Sequence, residues 1–483
     1  MSTTESRDLF AQENLLARLD RMPVNGIILA IVALLGLVWI LEAFDIGIIA
    51  PVILLLRTTW KLSPHDVGLI GSSGTLGIVI GLLPAGRLAD RYGRKTLLMV
   101  GIVVFSVFTF LGGLSRDIHE LLICRFIAGL GQGAVFPVPY LLLSEFVNKH
   151  WRGTAVGLAN SLLGFAYGLN TLVGALVIGR VPAEQAWRVL LMIGGSAIVM
   201  LPVILIFLPE SPRFLLKVGK IDKVRELVEK LERLSGIAHD DTLSDPRALQ
   251  VLQIARGRPA SLLTLFEPPY LSRLIVSYLA LLSPFILFYV ITIYGPSILH
   301  HMGASKANAL YYTSGLLFLT VVTTAIAGSI GDRFSRRTGI IVLMIGTALA
   351  ASVLQQPMPR MLVILAAAAT WGLVYAAFPL AKLYMAEQFP TRLRGTGAML
   401  GECVTRFLSG VVLVYLFPIL SASMTPSSLF TLLGVISVVC ILPIWMFGTQ
   451  TSGRSIEETG TDVAAYAQSS SAAGVAPSES SGS

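Results

Sequence analysis

Apolar stretches of roughly transmembrane length recur along the chain and are separated by short polar segments. A helix needs about 20 mostly apolar residues to cross about 30 Å of hydrocarbon. Twelve stretches meet this requirement, and they begin near residues 25, 65, 94, 119, 152, 186, 271, 304, 338, 358, 394 and 425. The pattern predicts an all-α membrane protein with twelve transmembrane helices.

The apolar stretches form two groups of six, with a polar linker between them. Opposite charges four residues apart in the linker segment KIDKVRELVEKLERLSG predict a partly helical structure. The final residues are rich in Ser, Ala, Gly and Thr, which favours disorder. The predicted divisions are an N-terminal segment at 1–24, bundles at 25–208 and 271–447, a linker at 209–270 and a disordered tail at 448–483.

Composition excludes several classes of protein. Of 483 residues, 54% are hydrophobic and only 13% are charged, whereas a soluble domain has about 25% charged residues. A soluble enzyme and a disordered scaffold are therefore excluded. With the N-terminus inside, cytoplasmic segments hold 26 of the 36 Lys and Arg residues and outer segments hold 7. This bias favours cytoplasmic termini, linker and tail in a cell (inner) membrane protein.

The two halves are also related by sequence. GRLADRYGRK at 86–95 matches GSIGDRFSRR at 328–337 at an offset of 242 residues. The same offset pairs Glu145 with Glu387 and Arg152 with Arg394. Two loops in one register predict a duplicated six-helix bundle, with a midplane site between the copies that opens to either side.

These motifs carry a family resemblance between about residues 25 and 447. GRLADRYGRK resembles the signature of the major facilitator superfamily, and RFIAGLGQGA at 125–134 resembles the fourth-helix motif of its proton-coupled members. LLSEFVNKHWRGT and PESPRFL resemble the group that contains sugar porters and metabolite or aromatic-acid proton symporters. The resemblance implies the major facilitator fold and secondary active transport by alternating access; we expect a monomer.

The repeated loops place alternating acids and bases at helix ends. These are Asp90, Arg91, Arg94, Glu145, Arg152, Asp332, Arg333, Arg336, Glu387 and Arg394. They fit two interpretations. One is membrane topology with snorkelling side chains. The other, which the resemblance favours, is a gating network of ion pairs that forms in one conformation and breaks in the other.

Ionisable residues inside apolar spans are costly and are treated as functional candidates. Glu42 and Asp45 share one face of the first span, and Arg125 in the fourth span is a candidate partner for Asp45. Such a carboxylate would release its proton beside Arg125 and retain it when alone. The resemblance favours Asp45 as the proton-coupling site, with Glu42 second. A static ion pair that fixes packing is the alternative.

A second polar cluster lies only in the second half. Tyr375 and Lys382 share a face of the tenth span, and Glu402 and Arg406 share a face of the eleventh. The matching positions of the first half carry no such charges, so the repeated scaffold does not require them. A substrate site would produce this asymmetry, because a ligand does not share the two-fold symmetry of the repeat. Arg406 in TRFLSG resembles the eleventh-helix arginine of organic-anion relatives, and a guanidinium fork matches a carboxylate. A self-neutralising Glu402 to Arg406 pair is the alternative.

Several polar and aromatic residues are further candidates for the substrate site. They are Tyr289, Tyr294, Tyr312, Phe285, Trp371, Asn160, Tyr167 and Asn170. Ordinary interior or interfacial packing is an equal explanation for the aromatic members. The leading prediction is therefore proton-coupled symport of a small organic anion, a carboxylate metabolite such as an aromatic acid.

Other functions remain open. YGPSIL at 294–299 and PESPRF favour a sugar or polyol, but SPFILFYV at 283–290 lacks the paired glutamines usual in sugar porters. Drug efflux and a non-transporting metabolite sensor are less favoured. No phosphate-binding loop, catalytic constellation or metal spacing around Cys124, Cys403 and Cys440 is present in the sequence. We therefore expect no enzyme activity, no cofactor, no metal and no nucleic-acid partner.

Overall fold

The protein is described by a computed structural model that covers residues 3–148, 151–238, 240, 262–267, 270–331, 335–353, 359–389, 391–424 and 426–448. These residues form α-helices with short 3₁₀ and π segments, and no strand occurs among them. The predicted fold class is confirmed. The tail beyond Gly448 lies outside the described residues.

In the first half of the chain, the described residues form ten helices. They are α1 (Thr3–Asp20), α2 (Gly26–Gly47), α3 (Ile49–Thr59), α4 (Pro64–Tyr92), α5 (Arg94–Gly112), α6 (Ile118–Val135), α7 (Val138–Phe146), α8 (Arg152–Ile178), α9 (Ala183–Gly194) and α10 (Leu201–Phe207). A 3₁₀ turn, Gly195–Met200, joins α9 to α10. The predicted first and fourth spans are each broken into two helices.

The described residues of the linker and the second half form nine helices. They are α11 (Pro212–Lys217), α12 (Ile221–Ser235), α13 (Tyr270–His301), α14 (Lys306–Gly331), α15 (Arg336–Val353), α16 (Arg360–Glu387), α17 (Thr391–Arg406), α18 (Val414–Ser423) and α19 (Pro426–Phe447). A π-helical segment, Phe407–Leu413, joins α17 to α18 directly after Arg406.

The membrane-spanning helices begin where the apolar pattern places them. Each observed start lies within three residues of the predicted one. Eleven segments of the described chain are long and apolar enough to cross a membrane, and a shorter apolar helix covers Thr431–Phe447. Large apolar side chains such as Val199, Ile206 and Trp445 are exposed on the outside of the bundle, where lipid tails would cover them.

Side-chain caps fix several helix starts at these positions. Ser63 and Asp66 form a capping box at the start of α4, and Asn25 accepts a hydrogen bond from the backbone N–H of Ile28. Each cap satisfies backbone donors that a helix start leaves without partners.

Glycines allow the closest helix packing in the first half. A Cβ on Gly77 of α4 would collide with the backbone of Phe126 and Gly129 in α6, and a Cβ on Gly129 would collide with Gly74. Small residues at both positions let the two backbones touch, as is common in membrane bundles. This contact places α6, and therefore Arg125, against the interior of the first half.

The N-terminal segment and the linker dock on each other. Arg18 of α1 donates two hydrogen bonds to Glu232 of α12, at 2.9 and 2.6 Å, and both side chains are buried. Leu15 and Leu19 of α1 belong to the same apolar cluster as Val228. The sequence predicts a partly helical linker, but the helix α1 and its docking were not predicted.

The ionisation of Glu232 follows from this contact. Burial raises the pKa of the Glu232 carboxyl, but the hydrogen bonds donated by Arg18 and Arg21 outweigh burial, so the pKa lies below its usual value of 4.5. The carboxylate is therefore charged at neutral pH.

The two halves face each other along helices of the repeat. Helix α8 packs against α14, and α4 packs against α18. We call the end of the bundle that carries α11 and α12 the linker face, and the opposite end the far face. At the far face, Arg57 of α3 and His301 of α13 form a hydrogen bond of 2.6 Å between the halves.

Candidate functional site

A small cavity lies between the two halves and contains most of the predicted polar cluster. Its volume is about 40 Å³, which is room for one or two water molecules. The first half contributes Glu42, Phe136 and Tyr167, and the second contributes Phe285, Phe288, Tyr375, Phe378, Lys382 and Arg406. We call this the central cavity. In the conformation described, it is too small for an organic substrate.

One carboxylate holds both cations of the central cavity. Lys382 Nζ lies 2.9 Å from one Glu402 oxygen, and Arg406 Nε lies 3.2 Å from the other. Arg406 also donates a hydrogen bond of 3.1 Å to the Tyr289 hydroxyl. The predicted intrahelical Glu402–Arg406 pair is therefore present. It is part of a larger bridge, because Lys382 reaches Glu402 from the neighbouring helix α16.

Aromatic rings surround the same two cations. The Arg406 guanidinium lies 4.1 Å from the centroid of the Phe136 ring and 5.8 Å from that of Phe285. The Lys382 ammonium lies 4.9 Å from the Phe136 centroid and 4.8 Å from the Phe378 centroid. Such contacts are attractive and leave the cations poorly hydrated. The cavity therefore combines positive charge with flat apolar walls.

Glu42 faces these cations from the first half. It is 1% exposed, and neither of its carboxylate oxygens has a hydrogen-bond partner among the described residues. Arg406, Lys382 and Asp45 are the charged groups that act on it electrostatically. If all four groups are ionised, the charges of Glu42, Glu402, Lys382 and Arg406 sum to zero.

Asp45 lies one helical turn from Glu42, and both of its carboxylate oxygens accept hydrogen bonds. Arg125 Nη1 approaches its Oδ2 at 3.3 Å, and Gln132 Nε2 donates a hydrogen bond to the same oxygen. The structure thus brings together the predicted pair of Asp45 and Arg125. Neither residue lines the central cavity. Both lie inside the first half, with Gly194 of α9 against the carboxylate.

The structure separates the other predicted substrate residues. Tyr375 lines the central cavity, and its hydroxyl pairs with Thr292 at 2.9 Å. Three further aromatic candidates, Tyr294, Trp371 and Tyr312, do not line the central cavity. Tyr294 and Trp371 line a different cavity at the far face, and Tyr312 is 54% exposed. An apolar span gives too weak a polar face to fix which way each ring points.

Two amide candidates have different outcomes. The backbone of Asn160 lies in α8, and its side chain falls outside the part of the structure that can be described. Asn170 is buried in the same helix, and neither atom of its amide group has a hydrogen-bond partner among the described residues.

The predicted gating residues of the first half meet at the linker face. Arg94 pairs with Asp90 at 2.8 Å and approaches Glu145 at 3.6 Å. Arg91 stacks over the ring of its neighbour Tyr92, at 5.2 Å. The two ion pairs join α5 to α4 and α7 within the first half, whereas Arg91 contacts a neighbour on its own helix. None of these three contacts crosses to the other half.

In the second half, Arg336 and Glu387 form the ion pair equivalent to Arg94 and Glu145. The repeat of the loops is therefore a repeat of structure as well. Asp332 and Arg333 lie outside the described residues, and so do the side chains of Arg152 and Arg394.

Linker residues complete the first network and were not predicted as part of it. One Glu210 oxygen accepts hydrogen bonds from the backbone N–H groups of Arg94 and Lys95, both at 3.0 Å. The Ser211 hydroxyl donates a hydrogen bond to Glu145. The motif PESPRF was the available signal, since it contains both residues. Phe136 was also missed, and nothing in its sequence context distinguishes it from packing residues.

Comparison with known proteins identifies the family. A sequence profile described as sugar (and other) transporter matches residues 29–462. The chain belongs to the sugar transporter family of the major facilitator superfamily. It is therefore a multi-pass membrane transporter and not an enzyme.

The relatives of this transporter carry different kinds of substrate. It is 28% identical to the niacin transporter NiaP of Acinetobacter baylyi, over 92% of this chain and 100% of that one. It is also 28% identical to the 4-hydroxybenzoate transporter PcaK of Pseudomonas aeruginosa, over 68% of this chain and 72% of that one. The xylose transporter XylE of E. coli, in a partially occluded inward open conformation, superposes with a TM-score of 0.74 at 18% identity. That match covers 89% of this chain and 99% of XylE, and it shows the fold alone.

Proposed function

We propose that this transporter carries a small aromatic carboxylate together with protons across a bacterial inner membrane by alternating access. The observation that supports this most directly is the position of Arg406 and Lys382, which face a cavity between the halves that is walled by aromatic rings. Two relatives are transporters for niacin and for 4-hydroxybenzoate, both of which are aromatic carboxylates.

The substrate carboxylate binds Arg406 in this proposal. A guanidinium offers two parallel N–H donors to a carboxylate, and Lys382 adds a second positive charge. The aromatic ring of the substrate packs against Phe136, Phe285 and Phe378 in offset or edge-on geometry. The cavity of about 40 Å³ opens when the halves rotate apart, which lets the substrate in from one side at a time.

Glu42 links this binding event to a proton. The substrate adds a negative charge to a group of four residues whose formal charges cancel. None of the described residues donates a hydrogen bond to Glu42 to compensate this charge. Two unscreened anions across a cavity of low dielectric repel strongly. Glu42 therefore takes up a proton when the carboxylate binds.

Asp45 links the conformational change to a proton. Its ion pair with Arg125 is buried, and protonation of Asp45 removes the Coulomb attraction and frees the arginine. The two states of this pair favour different arrangements of α2, α6 and α9. The helix ends at the linker face form the gate on the cytoplasmic side, and the ion pairs hold these ends together within each half.

The test is uptake into proteoliposomes of labelled nicotinate, 4-hydroxybenzoate, xylose and glucose, with and without an acidic exterior. We expect the two acids to accumulate above protein-free liposomes only while the gradient lasts. Accumulation of a sugar with no acid transport would replace this proposal with a sugar symporter. Equilibration of a sugar independent of the gradient would indicate a facilitator.

A further inference from the structure

A second cavity lies at the far face and is much larger than the central one. Its volume is about 400 Å³, within the size range of small-molecule sites. Helices α3 and α4 of the first half and α13, α16, α18 and α19 of the second contribute to its walls. We call it the far-face cavity. Because both halves line it, its shape depends on how the halves are arranged.

Three aromatic side chains form much of its wall. The rings of Tyr294 and Phe417 stack in parallel with centroids 4.9 Å apart and planes at 14°. Trp371 is 2% exposed and lines the same cavity. Flat aromatic surfaces of this kind accept another ring by offset or edge contact.

Two polar groups in this wall are hydrogen-bond donors of interest for a ligand. The Trp371 Nε1 donor and the Ser297 hydroxyl are both buried, and neither has a hydrogen-bond partner among the described residues. Buried polar groups in folded proteins are nearly always paired, so each one that is not paired calls for an explanation. A ligand in the cavity with a hydrogen-bond acceptor would satisfy both donors.

Positive charge surrounds the mouth of the cavity. An adjoining cavity, also of about 400 Å³, shares Arg57, Ser297 and His301 with it and is lined in addition by Lys61 and Lys306. Among the described residues that line these two cavities there is no Asp or Glu. A mouth lined by one sign of charge concentrates ligands of the opposite sign.

The far-face cavity lies in line with the central cavity. Trp371 lines the former and Tyr375 the latter, and the two residues are four apart on α16, which is about 6 Å along the helix. Tyr375, at the end of this segment of α16, forms a hydrogen bond of 2.9 Å with Thr292. A ligand in the far-face cavity is thus about one helical turn from the aromatic wall of the central site.

We propose that the far-face cavity is a second binding site for small aromatic carboxylates. The ring packs between Trp371 and the Tyr294–Phe417 stack, while the carboxylate accepts hydrogen bonds from Ser297 and Trp371 and faces Arg57. The site receives the ligand before it passes to the central cavity. This role as a vestibule rests on the proposed function, whereas the binding site itself does not.

The experiment is equilibrium binding of radiolabelled 4-hydroxybenzoate to the full-length protein in lipid nanodiscs. Two variants disable the far-face cavity in different ways: Ala422→Trp fills it, and Arg57→Gln removes its cation. The matched controls are Ser423→Trp, whose position is adjacent but does not line the cavity, and Arg116→Gln in the loop between α5 and α6. Arg406→Gln disables the central site.

We expect the wild type and both controls to bind two ligands per chain. Ala422→Trp and Arg57→Gln should each bind one, as should Arg406→Gln, and Ala422→Trp combined with Arg406→Gln should bind none. In the wild type, the uncharged analogue 4-hydroxybenzyl alcohol should not displace 4-hydroxybenzoate from the site that Arg57→Gln abolishes.

Three results would overturn the inference. The first is a wild type that binds one ligand, at a site that Arg406→Gln removes. The second is retention of two sites in both Ala422→Trp and Arg57→Gln. The third is displacement by decanoate of the ligand at the site that Ala422→Trp fills, which would indicate a lipid site. If Arg406→Gln keeps two sites while Ala422→Trp loses one, the far-face site stands and the proposed central site fails. Size-exclusion profiles and binding at the unaffected site show whether each variant is folded.

Discussion

Glu402 determines how the charges of the central cavity are used. It pairs with both Lys382 and Arg406 from one position on α17 and offsets one of their two positive charges. Without it, two cations would share a dry cavity, which is costly. With it, an arriving carboxylate must share these cations with Glu402. The central site is therefore suited to exchange a ligand and not to hold it permanently.

Arg406→Lys tests the role of the guanidinium fork. The variant keeps the positive charge but loses the second parallel donor and the contact with Tyr289. We expect binding of 4-hydroxybenzoate to weaken by about tenfold to hundredfold, since a hydrogen bond to a charged group contributes about 1.5–3 kcal/mol. Isothermal titration measures the change, with Arg180→Lys on the surface as the control. An unchanged affinity would contradict the proposed contact.

Glu42→Gln tests the link between substrate and proton. In the wild type, the ionised form of Glu42 repels the substrate, so affinity should fall as pH rises. Arg406 and Lys382 oppose this repulsion from α17 and α16, and Asp45 adds to it from α2. The amide cannot ionise, so the variant should bind with little dependence on pH. A pH profile that keeps its wild-type slope in Glu42→Gln would place the linked proton elsewhere.

The limits of sequence interpretation are also clear at single residues. Spacing within a helix predicted the Glu402–Arg406 pair, but not that Lys382 reaches the same carboxylate from α16. Tyr294 and Trp371 line the far-face cavity and not the central one. The sequence could not show this, because a span that is apolar on all sides does not show which face meets a partner helix. Asp45 and Arg125 were easier to pair, since a buried charge requires an opposite charge nearby.

At the scale of elements, breaks in the helices place the site residues. Predicted span four ends at Val135 and resumes at Val138, and Pro137 occupies the break because it cannot continue the hydrogen-bond pattern of α6. Phe136 lies in this break and turns toward the cations. Helix α16, in contrast, continues through Pro379. The apolar pattern predicted the starts of the helices, and it did not distinguish these two outcomes.

The docking of α1 on α12 gives a prediction of its own. Glu232→Gln removes the carboxylate that pairs with the buried Arg18, and removal of one partner costs about 3–5 kcal/mol in comparable buried pairs. We expect α1 to detach, with faster hydrogen exchange in α1 at pH 7. Glu226→Gln, on the exposed side of α12, is the control and should leave exchange unchanged.

Acid should have the same effect on the wild type. The pKa of Glu232 is lowered in the folded protein, so its contribution to docking is complete above the unfolded value of 4.5 and is lost as pH falls through the lower folded value. Hydrogen exchange in α1 should therefore increase below about pH 4.5 in the wild type and not change further in Glu232→Gln. Equal acid sensitivity in both proteins would show that another group controls the docking.

At the scale of the molecule, the two faces are held together differently. At the far face, hydrogen bonds cross between the halves: Arg57 to His301, Lys306 to Thr58, and His65 with Tyr415. At the linker face, the described ion pairs Arg94–Glu145 and Arg336–Glu387 each stay within one half. Separation of the halves at the far face must break these three hydrogen bonds. The two ion pairs at the linker face need not break, because each moves with the half that contains it.

In the proposed mechanism, a proton on Asp45 drives the accumulation of an aromatic acid. The most direct test compares wild type and Asp45→Asn in proteoliposomes with labelled 4-hydroxybenzoate, measuring both accumulation under an acidic exterior and exchange against preloaded ligand. We expect the variant to lose accumulation and to keep exchange, because exchange needs binding and movement of the halves but no net proton transfer. Loss of both activities to the same degree would show that Asp45 is only structural, and unimpaired accumulation would show that Asp45 is not the coupling site.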